Sequence, residues 1–186
     1  MLFASGTTGA QPGGQHELES SNDLASFGFA SRWSVFSTAS AVVDTNWHHY
    51  TYAYDLDSAA QAQRVRIYLD GVEVTYSGSV ANPNINENFM NATEVHNWGF
   101  KPNGPGLYFN GKLADLYYIN NTQLTPSSFI TGTGSGTCHP TTYMGSFGGS
   151  SGYHLSFSNS DLTDTSGNGN TFTNNGGATF SSDVPT

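Results

Sequence analysis

Apolar residues in this chain recur at every second position over short stretches, and helical periodicity of any length is absent. The clearest stretch is residues 47–55, WHHYTYAYD. His48, Tyr50, Tyr52 and Tyr54 fall on one side of an extended segment, and Trp47, His49, Thr51 and Ala53 on the other. After the polar loop SAAQAQ comes RVRIYLDGVEV, where Val65, Ile67 and Leu69 share a face opposite Arg64, Arg66 and Tyr68. Asp70-Gly71 predicts a tight hairpin, because a type I′ turn needs residues that tolerate positive φ.

Weaker patterns flank this pair. Phe29 to Val43 predicts two short strands, with Trp33, Val35 and Ser37 alternating with Ser34, Phe36 and Thr38. Residues 77–94 carry no sustained period and read as a long surface loop. VHNWGF reads as a short strand before the loop KPNGPG, and residues 107–120 as a strand pair or a bulged strand around Gly111. LTPSSF predicts one helical turn, with Thr125 as N-cap and Pro126 at the first helical position. Residues 1–28 hold one apolar run, Leu2 to Ala4, and otherwise read as loop. Beyond Thr131 the composition shifts to TGTGSGTCHP, a linker signature, after which YHLSFS predicts a strand and DTSGNGNTFTNNGG a turn-rich loop.

Composition sharpens the all-β reading. The 186 residues include 22 Gly for turns, while 12 Phe, 10 Tyr and 3 Trp provide large apolar surfaces, enough for one domain with a short appended segment. With 5 Lys and Arg against 14 Asp and Glu the net charge is −9, which disfavours nucleic acid and anionic membrane surfaces as partners. Cys138 is the lone cysteine and makes no internal disulfide, so packing must hold the fold. The N-terminus lacks a basic start followed by an apolar run, and no stretch approaches the ~18 apolar residues of a membrane span.

These blocks, taken in order, carry a family likeness. WHHYTYAYD, RVRIYLDGV, a strand ending in Gly99, FNGKLADLYYIN and LTPSSF resemble the laminin-G-like domains of the concanavalin A-like lectin/glucanase superfamily. The version here is similar to domains of marine bacteriophage tail-fibre and structural proteins, in which a D-[ST]-S-G-N-G-N block follows; here it is Asp164 to Asn170. The resemblance implies a jelly-roll β-sandwich of two antiparallel sheets over residues 1–130, with its outermost N-terminal strands absent. A linker over 131–150 would follow, and then a segment over 151–186 resembling the start of a second β unit. A fragment, or a product completed by a neighbouring chain, is expected, because an open sheet edge invites strand addition.

The same sandwich hosts glucanases with three alternating carboxylates on one strand; here Glu17 and Glu19 stand in HELES without a third in step. His48 and His49 are neighbours on a strand and point to opposite faces, so a buried hydrogen bond suits them better than a shared metal. His16, His96, His139 and His154 are scattered, no zinc spacing occurs, and no G-x-S-x-G elbow supports a serine triad. Nothing in the sequence therefore reads as a catalytic site. The oxygen-rich loop at Asp164, Asn168 and Asn170 is the one candidate for a metal, calcium, set against an ordinary Asx-type turn. Trp98, Phe100 and Tyr108 flank KPNGPG, where aromatic faces beside amides could hold a sugar. Trp98 stands where the resembled family has an aliphatic strand residue, which favours core packing, while Tyr108 and Asn103 are freer.

The expected function is that of a non-enzymatic virion protein, part of a fibre or surface decoration, whose lectin-like domain contacts a glycan, other virion proteins or copies of itself. A bacterial extracellular adhesin and a carbohydrate-active enzyme or its binding module are the rivals.

Overall fold

The computed structural model describes residues 3–5, 15–19, 24–29, 33–37, 44–55, 57–77, 95–100, 108–134, 137–158 and 160–185. Two compact units divide the chain: residues 1–110 with 132–138, and residues 111–131 with 139–186. The fold is an all-β sandwich of antiparallel sheets, and among the described residues the helical content is confined to two 3-10 turns, Gln61–Gln63 and Pro126–Ser128. No helix among them is long and apolar enough to cross a membrane.

Among the described residues the first unit holds nine strands: β1 (Phe3–Ser5), β2 (Gln15–Glu19), β3 (Leu24–Phe29), β4 (Trp33–Ser37), β5 (Tyr50–Tyr54), β6 (Val65–Leu69), β7 (Val72–Glu73), β8 (Tyr76–Ser77) and β9 (His96–Trp98). One sheet runs β8-β4-β3-β2-β1-β9 and the other β5-β6-β7. In the smaller sheet Tyr50, Tyr52 and Tyr54 stand opposite Leu69, Ile67 and Val65, and Thr51 and Ala53 opposite Tyr68 and Arg66. Val65 and Ile67 are fully buried, and Ala53 and Tyr68 on the other face are buried as well. Covering both faces of the β5–β6 pair removes the apolar area of these side chains from water, the large ones contributing about 1.5–3 kcal/mol each. Asp70 (φ 48) and Gly71 (φ 79) form the predicted two-residue turn between β6 and β7.

Two expectations for the first 130 residues are corrected. Residues 15–19 and 24–28, expected as loop, are strand: β2 and most of β3 lie there and pair along five positions from Gln15↔Gly28 to Glu19↔Leu24. Their sequences, QHELE and LASFGF, are too polar and glycine-bearing to reveal a strand period. Sheet neighbours on both sides supply the hydrogen bonds that hold them extended. Among the described residues of 107–120 neither a strand pair nor a bulged strand around Gly111 forms: an isolated bridge at Tyr108 and the strand β10 (Leu116–Tyr118) stand there. Positive φ at Asp115 breaks the extended run just before β10. Residues 78–94, read as a loop, lie outside the described residues.

In the second unit β10 pairs with β13 (Tyr153–Leu155), and β11 (Ile130–Thr131) with β12 (His139–Pro140). Leu116, Tyr153 and Leu155 are buried together with Phe129 and Ile130, the core of this unit. Residues 131–150, expected as a linker, thus carry the β11–β12 pairing, and within them 132–138 belong to the first unit. The LTPSSF turn is present as Pro126–Ser128 with Pro126 buried, but Thr125 makes no side-chain cap to the backbone and its hydroxyl meets that of Ser127 at 3.0 Å.

Candidate functional site

KPNGPG lies outside the described residues, and the chain on either side of it is paired. Gly99 takes φ 73, which ends β9, and its carbonyl accepts the Phe109 N–H at 2.8 Å. Phe100 and Tyr108 form an antiparallel bridge. The two rings stack at 5.3 Å with 28° between planes, and Tyr108 remains 64% exposed. Trp98 is half-buried on β9, opposite Phe3. Asn103 lies outside the described residues. Stacking on Phe100 restrains the Tyr108 ring, so it offers a pre-set flat face with a phenolic hydroxyl at its edge, the combination that meets the C–H face and hydroxyl of a sugar or an apolar protein side chain.

A second arrangement surrounds the Asp70-Gly71 turn. His48 places Nδ1 2.8 Å from Asp70 Oδ2 and Nε2 3.1 Å from Asp44 Oδ1, with the His48 and Asp70 side chains only 6% and 7% exposed. The other Asp70 oxygen accepts the His49 N–H at 2.9 Å, and the Asp70 backbone is bonded to His49 O and Gly134 N–H. His48 therefore closes a buried hydrogen bond, as its setting in the sequence suggested. Burial pulls its pKa down, but the hydrogen bonds to Asp70 and Asp44 outweigh this and raise it above 6.5. A histidine whose folded pKa is raised stabilises the fold fully below about 6.5, and this contribution is lost as pH rises through the folded value. Burial pushes His49 the opposite way, with the Asp70 charge opposing. Global melting thus mixes two contrary effects, and a site-resolved measurement is needed. NMR titration of the two rings is expected to give His48 an apparent pKa above 6.5 and His49 one below it; the reverse order would contradict this geometry.

The structure brings Asp164, Asn168 and Asn170 together in the second unit. Asp164 accepts N–H groups from His154 (3.1 Å), Ser166 (2.9 Å) and Asn170 (2.9 Å), and the Asn170 side-chain amide at 2.9 Å. Asn168 donates its amide to the carbonyls of Gly149 and Gly152, both at 2.7 Å, and Asn170 also reaches Gly152 O at 3.0 Å. Carbonyls only accept, so both amides must present nitrogen to them. This donor set does not fit a calcium cage as it stands. The ion wants six to eight oxygens, whereas the carboxylate is saturated by N–H groups and the amides turn nitrogen inward. Burial raises the Asp164 pKa, but its hydrogen bonds from Ser166, His154 and Asn170 carry it down to about 2.

Glu17 and Glu19 stand on β2 opposite Ser26 and Leu24, so no third carboxylate faces them across that pairing. His16, His96, His139 and His154 sit on four different strands, and among the described residues no three His, Cys, Asp or Glu gather into a metal site.

One grouping escaped the sequence reading altogether. His154 on β13 lies between Asp115, 3.0 Å from Nε2, and the Thr165 hydroxyl, 2.7 Å from Nδ1. The residues are 39 and 11 positions from the histidine, and the only local hint was the position of Thr165 inside the DTSGNGN block.

A sequence model of the concanavalin A-like lectin/glucanases superfamily matches residues 2–129. No curated protein and no solved structure matches the chain.

Proposed function

Because the chain belongs to the concanavalin A-like lectin/glucanase superfamily, we propose that it is a recognition protein of a virion, part of a fibre or surface decoration, whose lectin-like domain is non-enzymatic and contacts a glycan or protein at a surface. A lectin-like domain of this superfamily suggests carbohydrate or protein binding, and the superfamily also includes glycosidases. The observation that carries the reading here is the exposed Tyr108 ring, restrained by its stacking on Phe100. Support for a non-catalytic role comes from Glu17 and Glu19, which lack the third carboxylate that strand-borne glycoside hydrolysis would need. Support for the virion setting is the order of motifs from WHHYTYAYD to DTSGNGN, and the acidic balance fits partners other than nucleic acid or membrane.

Tyr108→Ala is expected to weaken binding on a glycan array, or to a purified virion protein, by at least about tenfold while leaving thermal melting unchanged, because an exposed ring contributes little to folding. Unchanged binding would remove Tyr108 from the site. Mass spectrometry of purified particles tests the setting, and absence of the chain from them favours the adhesin reading.

A further inference from the structure

From the Asp115–His154–Thr165 array we propose that the second unit holds a nucleophilic threonine, Thr165, able to accept an acyl group from small uncharged carboxylic esters. This goes beyond the recognition role, which rests on the other unit. Asp115 only accepts, so in the neutral tautomer of His154 with its hydrogen on Nε2 that hydrogen is donated across 3.0 Å, and the Nδ1 lone pair is left to receive the Thr165 O–H across 2.7 Å. The competing acceptor, His154 O, is further away at 3.3 Å. Hydroxyl, imidazole and carboxylate thus stand in the relation that activates an alcohol in acyl transfer.

Three further features suit this role. His154 is held flat against Tyr117, with ring centroids 4.0 Å apart and 7° between planes, so the imidazole cannot swing away from the hydroxyl. Asp115 is a non-glycine residue at φ 49, a conformation that costs free energy and is found where a side chain must be aimed. Thr165 is exposed, and added atoms on the adjacent Gly167 and Gly169 would meet nothing within 4 Å, which leaves room for a ligand. Residues 111–131 and 139–186 carry one Lys, Lys112, already paired with Asp183, against four Asp, so anionic esters would be repelled.

In the reaction Thr165 Oγ1 bonds to the ester carbonyl carbon and its proton passes to His154 Nδ1. The imidazolium, stabilised by Asp115, then gives that proton to the departing alcohol as the ester C–O bond breaks. Water repeats the sequence, releasing the acid and restoring the hydroxyl. Asp115 is a positioning residue, acting only through His154.

The test is p-nitrophenyl acetate with the full chain, followed by release of nitrophenol and by intact mass. The expected result is one acetyl group on Thr165 and a burst that disappears in Thr165→Val, survives in Thr165→Ser, and slows at least about a hundredfold in His154→Gln. Asp115→Asn should shift the pH dependence of acylation as well as its rate, which a merely structural role would not do. Unchanged backbone circular dichroism is required of each variant. No acetylation of the wild type, or labelling of Thr165→Val at the wild-type rate, would overturn the proposal, and neither result bears on Tyr108.

Discussion

Asp164→Ala is expected to lower the protection of the β10–β13 amides against hydrogen exchange by about a hundredfold. The Asp164 carboxylate is the hub onto which β13 and the DTSGNGN block fold, since it accepts the His154, Ser166 and Asn170 N–H groups and the Asn170 amide. Hydrogen bonds to a charged group each contribute about 1.5–3 kcal/mol, and truncation strands several donors in a partly covered place, so a loss of about 3 kcal/mol is a conservative sum. The depressed pKa leads to a similar figure. A fall from 3.8 to about 2 corresponds to about 2 kcal/mol of stability, present above the unfolded pKa and lost as pH falls from about 4 through about 2. In the wild type, exchange at these amides should accelerate across that acid window, and in Asp164→Ala this pH dependence should flatten. Since the Asp164 oxygens are saturated by the chain itself and the Asn168 and Asn170 amides present nitrogen to carbonyls, millimolar calcium is expected to leave the protection unchanged. A calcium-induced rise would instead show that the Asn168 and Asn170 amides can turn over to present oxygen.

The second large effect is expected at Gly148. Its φ of 68 lies in the left-handed region, which costs an alanine about 1–2 kcal/mol. The larger penalty is steric: a Cβ there would stand 1.6 Å from Asn120 O and 2.5 Å from its carbonyl carbon. Both are backbone atoms, so no rotamer change relieves the overlap. The Asn120 segment would have to retreat, breaking the Asn120 N–H bond to Phe147 O and the Asn121 amide bond to Gly148 O. Gly148→Ala should therefore cost more than about 4 kcal/mol in chemical denaturation followed at the second unit. Gly177 provides the comparison. It has nearly the same φ, 70, but nothing within 4 Å of its added Cβ, so Gly177→Ala should cost only the backbone term. Equal losses in the two variants would show that conformation, not the close approach of Asn120, governs both.

How far the fold could be read from the chain depended on where each strand's information resides. WHHYTYAYD and RVRIYLDGV announce themselves because alternate residues are apolar or aromatic and the Asp70-Gly71 pair can turn at positive φ; the structure has that hairpin and buries Val65 and Ile67 within it. β2 and β3 gave no such signal, because QHELE and LASFGF are extended chiefly through hydrogen bonds to strands elsewhere in the chain. Likewise, the partners of His48 were out of reach: Asp44 is near in sequence, but Asp70 arrives only through the β5–β6 pairing.

By itself, then, the sequence determined the all-β class, the β5–β6–β7 hairpins, the aromatic residues flanking KPNGPG and the placing of Asp164 in a tight polar turn. All of these are set by residues within a few positions of one another, through side-chain alternation and turn stereochemistry. Only the tertiary structure decided which groups meet. Pairing of β10 with β13 set Tyr117 against His154, the isolated bridge of Leu155 to Asp164 brought the following Thr165 to the histidine, and Asp115 came with β10. Strand register is fixed by cooperative packing and hydrogen bonding along whole strands, and no local pattern around Asp115, His154 or Thr165 encodes it.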